Sequence, residues 1–118
     1  MKRDLDLIRA ILMAVEDSGH DLGSWMDLSI EGKTQLELSY HVQLLHEAGL
    51  IEAIDLSTKD GMHWEPKKLT WSGHEFLDDA RNDTTWQRAK KIVGTRIGSA
   101  SLDVVQGTLT QVAKEFLQ

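Results

Sequence analysis

The chain has 118 residues, of which 41% are hydrophobic and 27% charged, as in an ordinary globular domain with one modest core. It contains no cysteine, which excludes a disulfide framework, a thiolate zinc site and a cysteine nucleophile. The formal net charge of −6 counts against binding to nucleic acid, because basic groups must neutralise phosphates. We see no signal-peptide pattern and no apolar run of the roughly 20 residues that a membrane span needs. A cytoplasmic protein is therefore expected, with no membrane contact.

The N-terminal half predicts a helix and a β-hairpin. Apolar residues at helical spacing predict an amphipathic helix over residues 3–17, and the alternation in residues 25–30 predicts an edge strand. Residues 51–56 and 62–70 alternate around a polar turn and predict a hairpin. Pro66 confines its strand to an edge or to irregular pairing, since it lacks an N–H.

Between the first helix and the hairpin, the sequence predicts two short helices. Thr34, followed three residues later by Glu37, forms a capping box that opens the first of them. A second helix is expected to begin near Ser39. Gly49 is expected to end it as a left-handed residue.

The C-terminal half predicts three further helices. One begins at Trp71, capped by Thr70 or Ser72, and the chain breaks near residues 82–83 before a helix resumes to residue 93. The last helix carries apolar residues spaced by three and four, typical of a coiled-coil seam: Leu102, Val105, Leu109, Val112 and Phe116. This seam is expected either to pack on the rest of the chain or to form the contact of a homodimer.

Two segments carry a family resemblance. Residues 39–51 (SYHVQLLHEAGLI) resemble the signature S-x-H-L-x-x-L-x-x-A-G-L-V of winged-helix repressors of the ArsR type. Residues 69–77 (LTWSGHEFL) resemble the L-T-x-x-G-x-x-x-L segment that closes the wing in many such regulators. Residues 1–9 (MKRDLDLIR) and 83–86 (DTTW), with parts of both segments above, are similar to a family of bacterial and prophage proteins known as domain of unknown function 2513. This resemblance covers nearly the whole chain.

These observations predict an α+β fold, mainly α with a small β-hairpin wing. We expect a winged helix-turn-helix over residues 1–98 with additional C-terminal helices, and residues 99–118 as the amphipathic helix that carries the seam. The resemblance implies a transcription regulator of prophage type that binds double-stranded DNA. It would contact bases or phosphates through residues of the recognition helix and the wing: Ser39, Tyr40, Gln43, Lys59, Lys67 and Lys68.

Two alternatives stay open at this point. The recognition helix carries Glu37, Glu47 and an outward Leu44 but no lysine or arginine, which favours a module that binds a host or phage protein. A basic run offers a second nucleic-acid surface, unless it is only the solvated face of a helix: Arg88, Lys90, Lys91 and Arg96.

Other chemistry finds little support in the sequence. His41 and His46 raise the question of a metal, with His63 and His74 elsewhere in the chain. A separation of five residues places the first two about 140° apart on a helix, so they cannot share an ion. No metal site, cofactor or catalytic constellation is predicted. The four tryptophans are interpreted as core residues, with a ligand pocket as the alternative: Trp25, Trp64, Trp71 and Trp86.

Overall fold

A computed structural model describes residues 1–18, 25–96 and 102–116 of the chain. It contains five helices and two strands: α1 (Leu5–Asp17), α2 (Gln35–Glu47), β1 (Ile51–Asp55), β2 (Trp64–Leu69), α3 (Trp71–Ala80), α4 (Asp83–Arg96) and α5 (Leu102–Phe116). The expected α+β class, mainly helical with one hairpin, is confirmed. Among the described helices, none has both the length and the apolar character needed to cross a membrane.

The chain divides into two compact units, Met1–His74 and Glu75–Gln118. The division falls inside α3. Residues 97–101, which include the boundary expected from the sequence, lie outside the described part. In the N-terminal unit, α1 packs against α2 and β2. Its core is formed by apolar side chains of these elements and of β1, among them Ile8, Ile11, Leu12, Val15, Leu38, Val42, Leu45, Ile51 and Leu69.

The hairpin forms as predicted, and Pro66 shapes it. Strands β1 and β2 are antiparallel, and a register shift lies between Glu52 and Ala53, which pair with Lys68 and Pro66. The residue that this bulge leaves unpaired is Lys67, next to Pro66, which has no N–H to give to a ladder. The carbonyl of Pro66 accepts a hydrogen bond from the Met26 N–H at 2.7 Å.

The predicted strand over residues 25–30 is wrong, because this segment is irregular. Its described hydrogen bond to β2 ends on the carbonyl of Pro66, which cannot donate one in return. A second ladder along this side of β2 is therefore interrupted at that residue.

The expectation of two short helices before Gly49 is also wrong. The capping box of Thr34 and Glu37 is present, but it opens one helix of 13 residues. No glycine or proline interrupts the sequence between Gln35 and Glu47, so nothing breaks the helix near Ser39. In the described stretch before α2, residues 25–34, there is no separate helix.

The end of α2 follows the sequence signal closely. Gly49 has φ of +78°, a conformation that glycine adopts without a Cβ penalty. The Gly49 N–H donates to the His46 carbonyl and the Leu50 N–H to the Leu45 carbonyl, both at 3.0 Å. This is a Schellman motif, which satisfies the last carbonyls of the helix.

Thr70 joins the end of α2 to the start of α3. Its hydroxyl donates to the Gly49 carbonyl at 2.6 Å and accepts from the Gly73 N–H at 3.0 Å. Its own N–H donates to the Leu50 carbonyl at 3.0 Å. Of the two predicted caps of α3, Thr70 is therefore the one that receives the N-terminal N–H group.

In the C-terminal unit, α5 packs against α4, and Asn82 caps α4 by accepting from the Thr85 N–H at 3.0 Å. Val105, Leu109 and Val112 of the apolar seam are buried in the chain. These three side chains therefore pack within the chain. Leu102 is half-buried, and the side chain of Phe116 lies outside the described part.

The four tryptophans do not form one core. Trp86 is fully buried and contacts Phe76 edge-on, with the ring centroids 6.4 Å apart. Trp64 is half-buried. Trp71 is 81% exposed and Trp25 is exposed as well, so the interpretation of these two as core residues is wrong.

We expect Gly73→Ala to lower the free energy of unfolding by about 1–3 kcal/mol, the usual cost of overpacking. A Cβ at this position would meet the Leu50 carbonyl oxygen, which the Thr70 N–H holds in place. Gly107→Ala is the control, because a Cβ there meets nothing within 4 Å and alanine favours the helix by up to about 1 kcal/mol. Urea unfolding measures both; equal stability of the Gly73 variant and the wild type would contradict the close approach.

Candidate functional site

Helix α2 is the element on which the predicted site depends, and its inner side is as expected. Leu38, Val42 and Leu45 are buried. Ser39, predicted to contact DNA, is also buried, with a relative exposure of 0%. Its hydroxyl oxygen accepts the Trp64 N–H at 3.0 Å and lies 3.2 Å from the side-chain nitrogen of Gln35.

Ser39 is therefore removed from the candidate surface. A buried hydroxyl that already serves a backbone N–H of β2 cannot also reach a base edge or a phosphate. Its place in the signature is structural, because it ties α2 to the hairpin. Sequence spacing alone placed Ser39 one residue from the buried Leu38 and so at the edge of the exposed face.

His41 is the second polar residue of α2 that faces inward. Its Nε2 accepts the Asp4 N–H at 2.9 Å, and its Nδ1 lies 2.8 Å from the Glu37 carbonyl oxygen. Because a backbone N–H only donates and a carbonyl only accepts, these partners require the neutral ring with the proton on Nδ1. His41 thus connects α2 to the residue that caps α1.

Asp4, whose N–H binds His41, also makes two interactions through its carboxylate. Its carboxylate caps α1 by accepting the Leu7 N–H at 3.1 Å and pairs with the Lys33 ammonium at 3.2 Å. Partial burial acts to raise the pKa of Asp4, but these two interactions outweigh it and hold the pKa below its usual value. The carboxylate therefore stays charged at neutral pH.

The outer side of α2 carries a stripe of three larger side chains. Leu36 is 54% exposed, and Tyr40 and Leu44 are half-buried. Their spacing of four residues places them on one face of the helix. We call this set the outer stripe. Gln43, half-buried, and Glu47, exposed, flank it, and α2 contains no lysine or arginine.

The lysines predicted for the wing have different surroundings. Lys59 is exposed beside the turn between the strands. The ammonium of Lys67 lies 5.4 Å from the ring centroid of Trp25. The ammonium of Lys68 lies 4.0 Å from the carboxylate of Glu52, its cross-strand partner.

The basic run of α4 belongs to the C-terminal unit. Arg88 pairs with Glu115 at 3.1 Å, and the ammonium of Lys90 lies 6.0 Å from the ring centroid of Trp86. Lys91 is exposed, and the side chain of Arg96 lies outside the described part. The charge of Arg88 is thus neutralised within its own unit by Glu115.

Sequence reasoning missed a group of metal-ligating side chains beside the hairpin. The ligand atoms of Asp27, His63 and Glu65 all lie within 4.8 Å of one another. His63 and Glu65 alternate in an extended segment, which points them to one face and was a readable signal. Asp27 comes from a distant segment, and only the fold brings it there.

We expect Ser39→Ala to lower the free energy of unfolding by about 1–3 kcal/mol, because it leaves the Trp64 N–H without its acceptor. Ser29→Ala is the control, since Ser29 is exposed. Urea unfolding followed by tryptophan fluorescence measures both. A midpoint for Ser39→Ala that matches the control would show that the Ser39–Trp64 contact does not hold α2.

The comparisons with known proteins define the family and no activity. A family model described as "Hypothetical protein (DUF2513)" matches residues 2–100. The chain is 44% identical over 117 residues to a Haemophilus influenzae protein described as "Uncharacterized protein", covering 99% of this chain and 96% of that relative. No solved structure matches the chain. The chain therefore belongs to the DUF2513 family of hypothetical proteins.

Proposed function

We propose that this chain is a protein-binding module without catalytic activity and that the outer stripe of α2 is its contact surface. The observation that carries the proposal is the composition of this face. Leu36, Tyr40 and Leu44 follow one another along the outer side of the helix, and the helix contains no lysine or arginine. An amphipathic helix with anchors at every fourth residue suits an apolar groove on a partner.

The charge of the N-terminal unit supports a protein partner over DNA. Residues 1–74 contain seven Lys or Arg and thirteen Asp or Glu, whereas residues 75–118 contain six of each. The unit that holds α2 therefore carries the whole negative surplus of the chain. Phosphates would be repelled by such a unit, and sequence-independent affinity for DNA requires the opposite charge.

The same charges define the chemistry of the partner. Glu37 and Glu47 stand beside the outer stripe near the two ends of α2. A matching partner has an apolar groove about two helical turns long, with lysines or arginines at its rim. Charged rims of this kind favour the correct partner and speed association more than they raise affinity.

DNA binding is the second candidate, favoured by the hairpin that follows α2. It carries Lys59, Lys67 and Lys68, and Tyr40 and Gln43 lie on the outer side of the preceding helix. This order resembles the recognition helix and wing of winged-helix repressors. Ser39 is no longer part of this candidate, and salt-dependent affinity would distinguish it from protein binding.

The test is affinity capture from an extract of the organism that encodes the chain, followed by binding assays with the purified partner. We expect Leu36→Asp and Leu44→Asp each to weaken binding at least tenfold, because a buried anchor of an interface carries over 1 kcal/mol. Leu56→Asp is the matched control, since Leu56 is an exposed leucine of the hairpin region.

Circular dichroism and urea unfolding of each variant separate lost binding from lost folding. Leu36→Asp is the more informative of the two variants, because the side chain of Leu36 is more than half exposed and its replacement disturbs folding less. A partner that binds Leu36→Asp as tightly as Leu56→Asp would contradict the assignment to the outer stripe.

A further inference from the structure

A cluster with mixed nitrogen and oxygen ligands lies in the N-terminal unit, apart from the outer stripe. Asp27 and Glu65 each offer a carboxylate oxygen and His63 a ring nitrogen, all within 4.8 Å of one another. Asp27 lies in the irregular segment beside β2, Glu65 lies in β2, and His63 directly precedes it. The residue types are therefore brought together by packing of this segment against the hairpin.

We propose that Asp27, His63 and Glu65 bind a divalent transition-metal ion of the Zn²⁺ class. One imidazole and two carboxylates are among the ligands that Zn²⁺ takes in proteins. Mg²⁺ and Ca²⁺ prefer sites made of oxygen alone, so the imidazole selects against them. Three protein ligands leave a fourth position for water. Asp27 is exposed and the other two are half-buried, so the ion reaches the site from solvent.

The surroundings of His63 suit a metal ligand. Its Nε2 lies 2.8 Å from the Glu65 carboxylate, and its Nδ1 lies 2.9 Å from the side-chain amide nitrogen of Gln35. Without metal, these contacts require the proton on Nε2, donated to Glu65, and an Nδ1 that accepts from Gln35. With metal on Nε2, the ring stays neutral and its proton moves to Nδ1.

Gln35 can serve both forms of the ring. Turning its amide by half a rotation exchanges the nitrogen for the oxygen, which then accepts the proton on Nδ1 of His63. The buried hydroxyl of Ser39, 3.2 Å from the same amide atom, can donate to that oxygen while still accepting the Trp64 N–H. Such an outer partner fixes the ring of a metal-bound histidine, and here it belongs to α2.

An ion at this site would add a link between the 25–30 segment and the hairpin. The Met26 N–H already donates to the Pro66 carbonyl there, and the ion would add bonds from Asp27 to the same hairpin. A ligand that binds only the folded chain stabilises it, and the stabilisation grows with the logarithm of the ligand concentration once that exceeds the dissociation constant. The surplus of acidic residues in residues 1–74 favours the approach of a cation.

The test is calorimetric titration of the chelator-treated chain with ZnCl₂, together with thermal unfolding with and without Zn²⁺. We expect one Zn²⁺ per chain and a higher midpoint in its presence, with no such change from MgCl₂. Asp27→Asn and His63→Gln should each weaken binding at least tenfold, and Gln35→Ala by about 10–100-fold as an outer partner. The controls are Asp60→Asn and His74→Gln, both exposed and outside the cluster.

Asp27→Asn keeps the test decisive if the His63 variant fails to fold, because an exposed aspartate is replaced. Zn²⁺ binding that survives Asp27→Asn with unchanged affinity and stoichiometry would overturn the proposal. So would the absence of any Zn²⁺-induced rise in the midpoint of the wild type. Equal effects of Mg²⁺ and Zn²⁺ would also contradict a site that depends on an imidazole.

Discussion

The hydroxyl of Ser39 receives the Trp64 N–H inside the N-terminal unit, and this contact constrains how α2 lies against the hairpin. On another side of the helix, the Nε2 of His41 accepts the Asp4 N–H. With both polar side chains turned inward, every buried side-chain nitrogen and oxygen of the described residues has a partner. The larger side chains left on the outer side are Leu36, Tyr40 and Leu44. The proposed protein contact follows from this orientation, and so does the link from Gln35 to His63.

Local chemistry explains the parts of the fold that the sequence predicted well. The capping box of Thr34, the left-handed Gly49 and the cap at Thr70 depend on residues close in sequence, so their signals are readable one by one. The hairpin likewise follows from alternation around a polar turn. The single helix α2 was misread as two, because the inward serine and the exposed leucines weaken its amphipathic pattern. The winged helix-turn-helix itself remains a resemblance carried by residues 39–51 and 69–77.

The functional residues were harder to predict, because they depend on which surfaces meet. Periodicity showed that Val105 and Leu109 lie on one face of α5. It does not show whether that face packs against α4 or against a second copy of the chain. Helical spacing placed Ser39 next to Tyr40 on the reading face, whereas Trp64, 25 residues away along the chain, determines its burial. In the cluster of Asp27, His63 and Glu65, the spacing of the last two residues predicts that they share one face. The position of Asp27 beside them depends on the fold and could not be predicted from sequence spacing.

In the proposed function, α2 presents a protein-binding face and not a DNA-reading one. The most direct measurement is fluorescence anisotropy of a labelled pool of random-sequence duplexes with the full chain, at about 50 mM and about 200 mM salt. We expect no salt-dependent binding, because the N-terminal unit is acidic and α2 contains no lysine or arginine. Binding that falls steeply between the two salt concentrations, and that Tyr40→Ala abolishes while Leu56→Ala leaves it intact, would contradict the proposed function and make α2 a DNA-reading helix.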